Sequence, residues 1–160
     1  MSKISPCLWF NGQAEAAANF YVALIADSAI LSVSRYGEGA PFPAGTALMV
    51  EFALAGATYQ ALNGGPQYAH SEAISLSVSC DDQAEVDRIW DALTAGGGAE
   101  GQCGWCKDRF GISWQVVPAG LGGLLSDPDP GRAGRAMQAM MGMSKLDLAA
   151  MRAAADQSGG

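Results

Sequence analysis

The sequence predicts an α+β chain in which one pattern, strand–helix–strand–strand–strand, occurs twice and is followed by a helical tail. Residues 4–62 and 73–117 each place a single amphipathic helical stretch after one short apolar run and before three more strand-like runs. A dense breaker, Asn63-Gly64-Gly65-Pro66, separates the halves. A twofold repeat of this kind places two similar sheets around a shared cleft. The domain then covers residues 1–118 and the tail residues 119–160.

In the first half, residues 4–10 read as a strand, and Pro6 argues for an edge or a bulge because proline cannot donate to a ladder. Asn11 is placed to cap a helix over residues 12–25. Ala14, Ala17, Ala18, Tyr21, Leu24 and Ile25 fall on one face at helical spacing. Residues 29–35 form a second strand, a loop rich in glycine and proline follows, and residues 46–54 and 57–62 are two more strands broken at Gly56.

In the second half, residues 73–80 are a strand, and Asp82 with Glu85 resembles a capping box. The helix it opens carries Val86, Ile89, Trp90 and Leu93 on one face and ends at Gly96-Gly97-Gly98. Short strands follow near residues 98–102 and 104–107. Asp108-Arg109-Phe110-Gly111 suits a tight turn, and residues 113–117 close the set. In the tail, Asp127 to Pro130 is a helix entry, residues 133–141 are helical, and Ser144 followed by Asp147 caps a last helix to about residue 155. Met137, Met140 and Met141 cluster there, and core packing is the expected use of such adaptable side chains.

Composition narrows the function classes. With 160 residues, 49% hydrophobic and 16% charged, the chain is globular. A net charge of −7 repels phosphate backbones, so nucleic acid is not an expected partner. The N-terminal residues lack a signal-peptide apolar run, and no stretch approaches a membrane span. Four cysteines fit a reducing compartment, which makes the expected location cytoplasmic.

The strands suggest a pocket. Along residues 74–79, Ile74, Leu76 and Val78 alternate with Ser75, Ser77 and Ser79. Ile112, Trp114 and Val116 alternate with Ser113, Gln115 and Val117, and Thr58, Gln60 and Leu62 with Tyr59 and Ala61. The apolar faces belong on the helices. The opposite faces carry small neutral hydrogen-bonding groups instead of the Lys, Glu and Arg of a solvated sheet, which suits a ligand pocket. Gln60, Ser75, Ser77, Ser113, Gln115 and Trp105 are therefore the candidate substrate-binding residues. His70, the single histidine, lies in the loop between the halves. With Glu72 and Glu51 it is a candidate acid or base should the chain be an enzyme. Cys103-Gly104-Trp105-Cys106 runs toward a strand instead of opening a helix, the wrong context for a redox pair. The acidic run Asp81, Asp82, Glu85, Asp87 and Asp91 reads as the solvated side of a helix.

Phe10-Asn11-Gly12, residues 61–66, residues 71–75, Glu85-Val86-Asp87 with Trp90, and residues 103–115 from Cys-Gly-Trp through Asp-Arg-Phe-Gly together resemble the PhnB-like family of the vicinal-oxygen-chelate superfamily, whose members often carry the name 3-demethylubiquinone-9 3-methyltransferase. The tail around Arg135-Ala136-Met137 and residues 143–148 is similar to the same family. The resemblance implies a glyoxalase/bleomycin-resistance/dioxygenase-like fold of paired βαβββ modules and a homodimer; the Met-rich tail offers apolar surface to the latter. It also implies that metal-binding relatives place His or Glu where this chain has Pro6, Gln60, Ala73 and Gln115, residues that supply no strong ligand. No metal and no cofactor is therefore expected. Methyl transfer from S-adenosylmethionine calls for a Gly-rich strand-to-helix loop, which the sequence lacks. The expected activity is binding of a small organic molecule in the cleft, as in bleomycin-resistance proteins. The alternative is an enzyme, either a glyoxalase- or dioxygenase-like lyase or the methyltransferase of the family name.

Overall fold

A computed structural model describes residues 2–158 of the chain. The chain divides into two compact units, Met1–His70 and Ser71–Gly160, the second taking in the tail. The expected α+β arrangement of two βαβββ modules with a helical extension is present.

The first unit contains β1 (Cys7–Phe10), α1 (Ala14–Leu24), β2 (Ala29–Arg35), β3 (Ala47–Leu54) and β4 (Ala57–Asn63). Its sheet order is β1-β4-β3-β2. β1 lies parallel to β4 and the other pairs are antiparallel. β1 starts only after Pro6, whose carbonyl accepts the Gln60 amide at 2.9 Å. Ala55 and Gly56 both have positive φ, 47° and 87°, the backbone of a tight hairpin turn between β3 and β4. The buried stripe of α1, Ala14, Ala17, Ala18, Tyr21 and Leu24, matches the sequence expectation and packs on β3 and β4. Tyr21 and Phe52 meet there with ring centroids 6.3 Å apart.

The cap of α1 differs from expectation. Gln13 is the N-cap residue and makes no side-chain cap bond. Asn63 at the far end of β4 does that work, its Oδ1 accepting the amides of Gly12 (2.8 Å) and Ala14 (3.0 Å). Asn63 is 1% exposed, donates through Nδ2 to the Ala47 carbonyl (2.9 Å), and its own carbonyl accepts the Tyr36 hydroxyl (2.6 Å). Local sequence favoured Asn11; a residue 49 positions from Ala14 is better placed in space.

The second unit repeats the plan with β5 (Ser75–Cys80), α2 (Gln83–Thr94), β6 (Ala99–Glu100), β7 (Trp105–Lys107) and β8 (Ser113–Pro118). Its order is β5-β8-β7-β6, with β5 parallel to β8. Asp82 caps α2 by accepting the Glu85 amide at 2.8 Å. The return bond from Glu85 goes to the Asp81 amide, so the capping box reaches one residue further back. Val86, Ile89, Trp90 and Leu93 are buried, as their spacing predicts. β5 begins at Ser75, which leaves Ile74 outside the strand and 75% exposed instead of on the helix-facing side.

The tail forms α3 (Leu121–Leu125), α4 (Pro130–Met141) and α5 (Leu148–Asp156). The Leu-Gly-Gly-Leu-Leu of α3 conceals a helix behind two poor helix formers. Asp147, not Ser144, caps α5 by accepting the Ala150 amide. Leu121, Leu124, Ala136, Leu146, Met151 and Ala155 form a small core, onto which Met140 and Met143 pack. Met137 and Met141 are exposed, so the expected methionine cluster splits between core and surface.

Candidate functional site

The site follows from strand register, because directly paired residues share a face of a sheet. In the second unit Ser77, Gln115 and Trp105 are in register, as are Ser75, Ser113 and Lys107. All five candidates of this unit, Ser75, Ser77, Ser113, Gln115 and Trp105, thus lie on one face. Leu76, Val78, Cys106, Trp114 and Val116 occupy the other, on the side of α2. In the first unit Cys7, Gln60 and Glu51 hold the positions equivalent to Ser77, Gln115 and Trp105. Gln60 and Gln115 are therefore counterparts in the internal repeat, each following an aromatic residue, Tyr59 and Trp114.

A cavity of about 210 Å³ opens on the serine face of the second unit. Glu72, Ala99, Gly101, Trp105, Lys107 and Ser113 line it. Gly101 is held by its amide to the Trp105 carbonyl (2.8 Å). Glu72 Oε1 and Lys107 Nζ form an ion pair at 2.6 Å, with side chains 67% and 40% exposed. The Lys107 hydrogen bond lowers the Glu72 pKa from its ordinary value. A carboxylate held ionised in this way is the opposite of a general acid tuned by burial. Gln115 donates through Nε2 to the Ser75 hydroxyl at 3.0 Å, tying β8 to β5 beside the cavity.

Ser113 stands apart. It is 2% exposed, and its hydroxyl has no hydrogen-bond partner among the described residues. A buried hydroxyl without a partner costs about 1–3 kcal/mol, so it marks a position where a polar group is called for. The alternation along β8 points to Ser113, but nothing in the sequence marks its hydroxyl as unpaired.

The other candidates are placed elsewhere. His70 donates from Nε2 to the Trp9 carbonyl at 2.6 Å, so Nε2 carries the proton, and its ring lies 5.5 Å from that of Phe10. It pins the end of the first unit. Glu51 is exposed, accepts the Ser32 hydroxyl at 3.1 Å, and lines a separate cavity of about 390 Å³ with Ser5, Thr58 and Gln60. There the Ser5 and Thr58 hydroxyls satisfy each other at 2.7 Å.

The specific sequence blocks prove architectural. Gly64 lies under the Trp9 indole, where a Cβ would come within 2.3 Å of the ring. The turn Asp108 to Gly111 closes as expected, by a 3.0 Å bond from the Gly111 amide to the Asp108 carbonyl. Asp108, 2% exposed, also accepts from the Phe110 and Ile112 amides and the Trp114 indole. Cys103 and Gly104 have positive φ, 58° and 83°, and their amides bond the Met143 and Ser144 carbonyls of the tail. The Cys-Gly-Trp-Cys block is thus the dock for the tail. Burial pushes the Cys106 thiol up to about 12, far from a redox-active thiolate. The acidic side of α2 is not merely solvated, since Asp87 pairs with Lys145 of the tail at 3.0 Å.

The residues do not fit the groups that metal-dependent or methyl-transferring relatives would hold. Pro6 and Ala73 precede their strands, Gln60 and Gln115 are neutral amides, and no three His, Cys, Asp or Glu side chains converge among the described residues. At the strand-to-helix connections, the amides of Gly12, Ala14 and Glu85 are already taken by Asn63 and Asp82. No helix among the described residues is long and apolar enough to cross a membrane.

Comparison with known proteins agrees with this architecture. The family model described as 3-demethylubiquinone-9 3-methyltransferase matches residues 2–117. No curated protein matches. Among solved structures, the PhnB protein from Bacillus cereus is 33% identical with a TM-score of 0.69, over 74% of this chain and 100% of that one. A Pseudomonas aeruginosa protein is 23% identical with a TM-score of 0.61, over 74% and 98%. A weaker likeness, 16% identical with a TM-score of 0.46 over 74% and 92%, is to a glyoxylase/bleomycin resistance protein/dioxygenase domain from a Frankia species.

Proposed function

This chain belongs to the PhnB-like 3-demethylubiquinone-9 3-methyltransferase family, and from that premise we propose that it binds a small organic molecule in the cavity of its second unit without a catalytic metal. The observation that carries the reading is the buried, unpartnered hydroxyl of Ser113, a residue lining a cavity walled by Trp105. A pocket that is mostly apolar with a few placed polar groups is the ordinary form of a small-molecule site. Binding needs no acid–base pair, and the candidates among the described residues are engaged elsewhere: Glu72 pairs with Lys107, and His70 with the Trp9 carbonyl. We further propose a cytoplasmic homodimer. Four unpaired cysteines favour a reducing compartment, and exposed Met137 and Met141 offer apolar contact area.

The test is native mass spectrometry on protein purified from cell extract, beside a Ser113→Leu variant that fills the cavity. The wild type carries an adduct that the variant lacks. An adduct retained equally by both contradicts the assignment. The family-named methyltransferase is the second reading, and tight calorimetric binding of S-adenosylmethionine would establish it over the first.

A further inference from the structure

Resting on the reading that this cavity is a ligand site, we infer that the ligand it takes is a small zwitterion: an apolar body of about one ring bearing an ammonium and a carboxylate group. The charges of the lining are balanced and adjacent. Glu72 arrives from the segment before β5 and Lys107 from the end of β7, and they meet at 2.6 Å. A ligand with one negative charge can take a spare N–H of Lys107, but it meets the adjoining Glu72 carboxylate as a like charge, in a chain of net charge −7. A cation can take a spare lone pair of Glu72, but it meets the adjoining Lys107 ammonium as a like charge. A zwitterion sets an opposite charge against each of them.

The donor geometry sets its orientation. Lys107 and Ser113 are paired in register on β7 and β8, so their side chains leave the sheet side by side on one face. Both donate to the ligand carboxylate, leaving Glu72 to accept from the ligand ammonium. Trp105 and Ala99 supply the wall for the apolar body. At about 210 Å³ the cavity exceeds the roughly 150 Å³ apolar cavity known to take benzene, which allows a ring with a short arm.

Four probes sharing one ring test this by calorimetry on the full chain: L-phenylalanine, phenethylamine, 3-phenylpropanoate and benzyl alcohol. Phenylalanine binds at least about tenfold tighter than the other three. Glu72→Gln removes its advantage over 3-phenylpropanoate, Lys107→Gln its advantage over phenethylamine, and Ser113→Ala weakens both carboxylates, with thermal melts of all variants near wild type. Benzyl alcohol binding as tightly, weakened by Ser113→Ala and indifferent to the charge variants, overturns the zwitterion and leaves the cavity as the site. Binding of none of the four, or binding untouched by Ser113→Ala, overturns the cavity reading itself.

Discussion

Gly104 donates its amide to the Ser144 carbonyl at 2.8 Å, and this bond joins the helical tail to the turn that leads into Trp105. The Trp105 amide bonds the Gln102 carbonyl within the same turn. At φ +83°, a Cβ on Gly104 would lie 2.9 Å from Leu146 Cδ1 and 3.0 Å from the Val116 carbonyl. Gly104→Ala combines a left-handed backbone penalty with overpacking and destabilises the chain by about 2–4 kcal/mol. Urea unfolding checks this, and a loss under about 0.5 kcal/mol would show that the tail dock yields freely.

Asn63→Ala removes the acceptor for two helix-entry amides and the donor to Ala47. A loss of about 2–4 kcal/mol is expected from leaving those groups unsatisfied in the interior. Asn11→Ala, at an exposed position whose side chain caps nothing, changes stability by less than about 0.5 kcal/mol. Equal losses in the two variants would return the cap to Asn11.

Thiol labelling separates the cysteines. Burial raises the Cys80 pKa to about 11 and that of Cys106 to about 12. In native protein near pH 8, iodoacetamide modifies exposed Cys7 and half-buried Cys103 first, while Cys80 and Cys106 react only on unfolding. Fast alkylation of Cys106 would reopen the redox reading of the Cys-Gly-Trp-Cys block.

Acid loosens the tail before the core. Asp87 is held below its ordinary pKa by hydrogen bonds from Lys145 and then Gln83, and Asp127 by the Asp129 amide and then Arg132. A lowered folded pKa gives a contribution that is complete above the ordinary carboxylate value, about 4, and is lost as pH falls through the folded value. Both carboxylates are half-buried at the surface and within reach of water, so the effect is modest and salt-sensitive. Hydrogen exchange shows Gly104 losing protection below about pH 4 while Ile89 in α2 keeps it. Simultaneous loss would mean that the tail is no weaker than the core.

The modules were legible because periodicity is local: the buried stripes of α1 and α2 and the serine alternation of β5 appear residue by residue in the sequence. What escaped was long-range. Asn63 capping α1 from 49 residues away, Asp108 gathering the Trp114 indole, and the Cys103–Gly104 dock for the tail each depend on contacts that spacing does not encode. Five of the six pocket candidates share a sheet face because parity carries them there. The Glu72–Lys107 pair was half seen: Glu72 was a candidate base, but its cation, 35 residues on, had no signal.

The central claim is that Ser113 is where a ligand is held. A crystal soaked with a fragment library tests it most directly. The account predicts fragments in the cavity of the second unit, with a polar atom within about 3 Å of Ser113 Oγ and an apolar part against Trp105. Fragments gathering on the Glu51–Gln60 face of the first unit, with Ser113 Oγ still unpaired or bonded only to water, would contradict it.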